Sequence, residues 1–126
     1  MPEIRLSARC FPTEDREKII RGITSIFPDA KIDGVDPIMA VSASLDMFAE
    51  LLRKQRIRDA GRQVMRRNTC GQSTSFFMNK QVATVGKISF SEEAHPLGDI
   101  AVTISAEDIE SLIDTVAPNT RSEVGR

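Results

Sequence analysis

The sequence predicts an α+β fold, with a single sheet of about five strands and helices packed on one of its faces. Two periodicities predict it: apolar residues alternate with period two in strand-like segments, and they recur at helical spacing in the segments between them. Three strand-like segments also follow one another late in the chain. Their connections look too short for parallel crossovers, so these strands should be antiparallel. The predicted element order is β-α-β-α-α-β-β-β-α.

The first strand and the first helix are predicted within residues 3–28. Alternation places four apolar residues on one face of the strand, namely Ile4, Leu6, Ala8 and Cys10. Thr13 would cap the helix that follows, because Glu14 and Asp15 in its first turn suit the helix dipole. Apolar side chains give this helix one stripe, and Pro28 ends it.

The middle of the chain predicts a short strand and a long helical region. Residues 31–37 carry turn chemistry, and residues 38–43 have the composition of a strand. Apolar stripes indicate helix from about residue 44 to residue 68, but the stripes on either side of residues 55–58 need not share a phase. Two helices with a break there and one helix of about 37 Å are therefore both compatible with the sequence.

The last third predicts three strands and a helix. β-Branched and aromatic residues favour strands over 74–78 and 82–90, and residues 100–104 alternate again. Ser105 would cap the last helix, with Asp108 in the capping-box position.

One domain is expected over residues 1–118, and Pro118 should end the last helix and leave 119–126 as a frayed tail. Charges interrupt the N-terminal residues at once, and no apolar stretch approaches the ~20 residues that cross a bilayer. We therefore expect a soluble, intracellular protein. Cys10 should be a buried free thiol, although a disulfide between Cys10 and Cys70 stays open.

Motifs for catalysis and metal binding are scarce. His95 lies beside Glu92 and Glu93 and is expected to be a solvated surface residue, because no nucleophile motif accompanies it. Such adjacent residues rarely converge on one ion without outside ligands. Gly86-Lys87 resembles the end of a phosphate-binding loop, but the second glycine and the following Ser or Thr are absent. We therefore predict no catalytic residue, no metal site and no cofactor, and favour a binding protein over an enzyme.

The net charge of −1 hides a strong segregation of charge along the chain. Residues 1–52 carry a net −3 and residues 88–126 carry a net −6. Between them, residues 53–87 carry nine basic groups and one acid, a net +8. A basic segment of this kind is typical of a surface that binds a polyanion.

Seven residues of this basic segment are predicted to contact nucleic acid, with RNA as the expected partner. Arg58, Arg62 and Arg66 recur every four residues, so they lie along one line of a helix with a rise of about 6 Å between them. A guanidinium group pairs two phosphate oxygens at once, and such contacts give affinity rather than sequence specificity. The full predicted set is Arg58, Arg62, Arg66, Arg67, Lys80, Gln81 and Lys87.

Other interpretations of the same features stay open. A charged helix face is usually just solvated, and the acidic last helix, whose carboxylates include Asp114, could pair with the arginines inside the fold. Segregated charge would also suit a non-enzymatic protein-interaction or assembly subunit, including a homodimer. Phe76 and Phe77 must face opposite sides of a strand. One is expected in the core, and the other is either a base-stacking platform or part of a second core.

Three short motifs stand out: Asp59-Ala60-Gly61-Arg62, the string Asn79-Lys80-Gln81-x-Ala83-x-x-Gly86-Lys87, and Leu97-Gly98-Asp99-Ile100. Together they resemble a family of small archaeal proteins catalogued as uncharacterised protein family two-hundred-and-one, for which RNA binding has been inferred. The resemblance covers nearly the whole chain, although Gly61 stands where the family is expected to have alanine. It implies an archaeal, cytoplasmic protein whose fold resembles that of the fifth large-subunit ribosomal protein. It offers no catalytic residues to carry over.

Overall fold

Seven strands and five helices lie within residues 2–91 and 98–118, which are the residues that the computed structural model describes. The strands are β1 (Glu3–Ala8), β2 (Lys31–Asp33), β3 (Ile38–Ser42), β4 (Thr69–Cys70), β5 (Ser73–Asn79), β6 (Phe90–Ser91) and β7 (Asp99–Ser105). The helices are α1 (Arg16–Ile26), α2 (Asp46–Lys54), α3 (Arg58–Arg67), α4 (Lys80–Ala83) and α5 (Ile109–Val116). The predicted tail over 119–126 falls outside the described residues.

All the strands join one antiparallel sheet, in the order β2-β3-β1-β7-β5-β4, with β6 also paired to β5. This confirms the predicted α+β class and its antiparallel sheet. The sheet holds more strands than predicted because β2 and β4 are two or three residues long, too short to give a periodic signal. The likeness to the fifth large-subunit ribosomal protein stays a prediction.

The two faces of the sheet differ in polarity. One face packs against the helices in a single core, in which the rings of Phe27, Phe48 and Phe76 lie 5.7 and 5.8 Å apart in succession. The opposite face is more polar: Arg5 lies opposite Thr103, and Thr103 lies opposite Ser75, across three neighbouring strands. Since strand side chains alternate between faces, the helices cover one face and leave the other open.

Two helices begin later than predicted. The N-cap of α1 is Asp15 rather than Thr13, and its carboxylate accepts a hydrogen bond of 3.0 Å from the backbone N–H two residues on. The N-cap of α5 is Asp108 rather than Ser105, because β7 continues through Ser105. Asp15 and Asp108 were predicted inside the first turns of these helices, and each instead serves as the N-cap and accepts the capping hydrogen bond.

The long helical region is broken, which confirms the two-helix interpretation. α2 ends at Lys54 and α3 starts at Arg58, with Arg56 between them at a left-handed φ of 59°. The side chain of Gln55 projects from this break. Its amide donates to the carbonyl of Ile88 and its carbonyl accepts from the N–H of Ile88, each at 2.8 Å. The Gln55 side chain at the break therefore fixes the position of Ile88, which is 33 residues away in the sequence.

The strand predicted over 82–90 is wrong. Asn79 instead caps the short helix α4, its side-chain oxygen accepting from the N–H of Val82 at 2.9 Å. A turn with Gly86 at a φ of +76° follows, and only Phe90–Ser91 pairs with β5. The β-branched residues favoured a strand locally, but the asparagine cap and the Gln55 contacts to Ile88 fix a different path.

Both cysteines are free thiols in the structure. Cys10 is partly exposed because β1 ends before it, and Cys70 is exposed in β4. None of the helices among the described residues is both long enough and apolar enough to span a membrane.

Candidate nucleic-acid interface

The seven predicted contact residues differ widely in exposure. Lys80 is buried, and Arg58 and Arg62 are partly buried. The remaining four are exposed: Arg66, Arg67, Gln81 and Lys87. The fold therefore gives the seven residues unequal access to solvent, with Arg58 and Arg62 between the buried Lys80 and the four exposed side chains.

Arg62 is held by the acidic last helix. One of its guanidinium nitrogens donates to Asp114 at 2.5 Å and to the carbonyl of Ala117 at 3.2 Å, and the side chain is only 17% exposed. The internal pairing that the acidic helix suggested therefore occurs at Arg62. Within 2–91 and 98–118, no other salt bridge joins the basic segment to α5.

The side chain of Lys80 is buried in the fold, with 3% of its surface exposed. Its Nζ lies 2.8 Å from both carboxylate oxygens of Glu14 and donates to the carbonyl of Arg9 at 3.0 Å. Partial burial raises the pKa of Glu14, but hydrogen bonds from Lys80 and from the backbone N–H of Phe11 outweigh it, so the pKa lies below its ordinary value. Its position indicates that Lys80 ties α4 to the loop before α1.

The basic groups that remain at the surface surround α3. We call Arg56, Arg58, Arg66, Arg67 and Lys87 the basic surface. Lys87 lies near the start of α3 because its neighbour Ile88 is hydrogen-bonded to Gln55 at the helix break. No carboxylate of the described residues lies within salt-bridge distance of these five side chains. Arg53 and Lys54, by contrast, pair with Glu50 on their own helix.

A cleft of about 630 Å³ lies beside the C-terminal end of α3, at the edge of the sheet. Arg67 lines it, together with Phe77 on the open face of β5. Of the two adjacent phenylalanines, Phe76 is the core residue, with 2% of its surface exposed. Phe77 is partly exposed. Phe76 also borders the cleft. The remaining lining residues were not predicted, since only the fold brings them together; they are Val64, Asn68, Ser75 and Ser91.

The residues considered for catalysis or metal binding, His95 with Glu92 and Glu93, fall outside the described residues, so their predicted surface role stays a prediction. Among the residues that are described, no three His, Cys, Asp or Glu side chains cluster as metal ligands would.

Comparison with known proteins identifies the family. Residues 3–107 match the model of a family described as RNA binding. A UPF0200/UPF0201 protein of Archaeoglobus fulgidus is 37% identical over 94% of this chain, which spans only 38% of that longer protein. A UPF0201 protein of Sulfurisphaera tokodaii is 36% identical, with 98% of this chain and 92% of that protein covered.

A solved structure agrees with the sequence comparisons. The crystal structure of the UPF0201 protein from Methanococcus jannaschii superposes with a TM-score of 0.85 at 36% identity, covering 93% of each chain. The chain therefore belongs to the archaeal UPF0201 family, as its motifs indicated.

Proposed function

We propose that this protein binds RNA by gripping backbone phosphates with the basic surface around α3. The observation that carries the proposal is that these five basic groups have no salt-bridge partner among the described residues, and that four of them are exposed while Arg58 is partly buried. The family description as RNA binding supports the partner class. The positive field of the segment would attract any polyanion at low salt, so binding should depend strongly on salt.

The arrangement on α3 suits phosphate contacts. Arg58 and Arg66 lie about 12 Å apart along the helix axis and within an arc of about 80°, with Arg67 turned about 100° from Arg66. Each planar guanidinium group offers a fork of donors that matches two phosphate oxygens. Gln81 is exposed on α4 and would add a neutral hydrogen-bond contact beside Lys87, as its place in the predicted set implies.

The test compares RNA affinity across salt concentrations for the wild type and for the double variant Arg66→Gln/Arg67→Gln. Each lost contact to single-stranded RNA should reduce the slope of log affinity against log salt by about 0.7. The matched control is Lys18→Gln/Arg21→Gln, which removes the same charge from exposed positions on α1. An unchanged slope in the α3 variant, or an equal reduction in the control, would contradict the proposal.

An assembly subunit held together by opposite charges is the alternative. The structure already uses part of this complementarity within one chain, at Arg62 and Asp114, which leaves less of it for a second copy. Sedimentation at two salt concentrations tests self-association directly. The proposal of an RNA-binding protein also includes an archaeal, cytoplasmic setting and no catalytic activity.

A further inference from the structure

In the part of the chain that the structure describes, two short strands pair with the ends of β5, and the cleft beside α3 lies next to the stretch between them. β4 pairs with Ser73 and Thr74, and β6 pairs with Phe77 and Met78. Among the described residues, Ser75 lies between them without a strand neighbour on that side. The N–H of Asn79 donates to this side, toward Ser89, and alternate residues of a strand direct their backbone groups to the same side. The backbone N–H and C=O of Ser75 therefore point to the side of β5 on which β4 and β6 lie, and Ser75 lines the cleft.

The cleft combines three kinds of chemistry that a nucleotide needs. The ring of Phe77 supplies a flat apolar surface on the open face of the sheet. Arg67 supplies an exposed positive charge from the last turn of α3, and the side-chain amide of Asn68 follows it. The hydroxyls of Ser75 and Ser91 lie on the same face as the ring, because their positions alternate or pair with Phe77.

Arg67 leaves α3 in a different direction from Arg62, the arginine that pairs with Asp114. Arg62 and Arg67 are five residues apart, so their side chains leave the helix axis about 140° from each other. Arg62 points to α5 and is paired there, while Arg67 lines the cleft and has no salt-bridge partner among the described residues. The cleft is thus positive on its helical side and aromatic on its sheet side.

We propose that this cleft binds nucleotides of single-stranded RNA, with one base stacked on Phe77 and its phosphate on Arg67. This inference rests on the proposed function and names the form of RNA and the site that takes it. A stack on an aromatic ring needs an unpaired base, since the bases of a duplex are already stacked on one another. A volume of about 630 Å³ is in the range of small-molecule sites.

The chain offers an unusually clean reporter for this contact. It contains no Trp and no Tyr, so a Phe77→Trp variant carries a single indole at the position of the proposed stack. The control is Val35→Trp, because Val35 is 72% exposed and follows β2, at the opposite edge of the sheet from the cleft. The probes are a short oligouridine and a blunt RNA duplex, each titrated into both variants.

Oligouridine should quench the indole at position 77 and leave the indole at position 35 unchanged, and the duplex should quench neither. Phe77→Leu, which keeps an apolar side chain, should bind oligouridine roughly 5- to 100-fold more weakly and bind the duplex as the wild type does. Thermal melting checks that each variant is folded. If Phe77→Leu does not fold, the fluorescence of Phe77→Trp still tests the proposed stack.

RNA binding that depends on the basic surface, combined with an unquenched indole at position 77, would overturn the cleft and leave the proposed function intact. No binding of either RNA by the wild type at low salt would overturn both.

Discussion

Replacing Lys80 separates the two roles that this residue could have, a phosphate contact or an internal ion pair. In Lys80→Met the long apolar stem stays and only the ammonium is removed. The structure predicts a loss of stability, because that ammonium is 3% exposed and bonded to Glu14 and to the carbonyl of Arg9. RNA affinity measured well below the melting temperature should be unchanged.

The expected magnitude follows from the contacts. Removing one partner of a fully buried ion pair costs about 3–5 kcal/mol. Glu14 keeps 27% exposure and can be hydrated, so we expect about 2 kcal/mol for Lys80→Met. Lys80→Ala also loses three buried methylenes at about 0.8 kcal/mol each, for a total of about 4 kcal/mol. For a chain of this size, each kcal/mol lowers the melting temperature by about 3–5 °C.

The assay is thermal or urea unfolding, followed by RNA titration of the same samples. Lys87→Met is the matched control, because Lys87 is exposed and belongs to the basic surface. The control should change stability by less than about 0.5 kcal/mol and reduce the salt slope of RNA binding. A Lys80→Met protein as stable as the wild type, with a reduced salt slope, would refute the structural role of Lys80.

Three further outcomes are expected. Gly22→Ala should destabilise the fold by about 1–3 kcal/mol despite the better helix propensity of alanine, because the added Cβ would lie 3.0 Å from the backbone of α4. Gly61→Ala should stay within about 1 kcal/mol of the wild type, because its Cβ would meet movable side-chain ends at 3.2–3.3 Å. Equal unfolding curves for the two variants would contradict this difference. The lowered pKa of Glu14 stabilises the fold above the ordinary pKa of glutamate, about 4.3, and this contribution is lost as the pH falls through the lowered value. Melting curves of the wild type and Glu14→Gln should therefore converge in acid, and a constant gap would count against the pair. Asp114→Asn removes the negative charge that neutralises Arg62, while the carbonyl of Ala117 still accepts from it. The variant should bind RNA more strongly at low salt in a filter-binding assay, and weaker or unchanged binding would argue against this role of Asp114.

The fold class could be predicted because it depends on periodicity, which the sequence displays directly. Ile4, Leu6 and Ala8 alternate in the sequence and are buried in β1 as the alternation predicts. The path of residues 82–90 could not be predicted, because it depends on Gln55, whose side chain bonds to Ile88 from 33 residues away. Local β propensity is weak against tertiary contacts of that kind.

The candidate site was predictable to the same limited extent. Composition identified the basic segment, and helical spacing placed its arginines on one line. Which of them remain exposed depends on pairs that are distant in sequence: Arg62 meets Asp114 across 52 residues, and Lys80 meets Glu14 across 66. The cleft depends on where β4 and β6 pair with β5, and no local pattern in the sequence records that.

The short strands at the margins of the sheet also bear on aggregation. A long unpaired edge strand invites pairing with other chains. Among the described residues, β5 has two positions without a strand partner on this side, Ser75 and Phe76, too few for an added strand to propagate. The opposite margin is β2, three residues long and with exposed charges at Lys31 and Asp33. Both margins therefore resist edge-to-edge growth, so the open face can stay uncovered without exposing the chain to sheet-mediated aggregation.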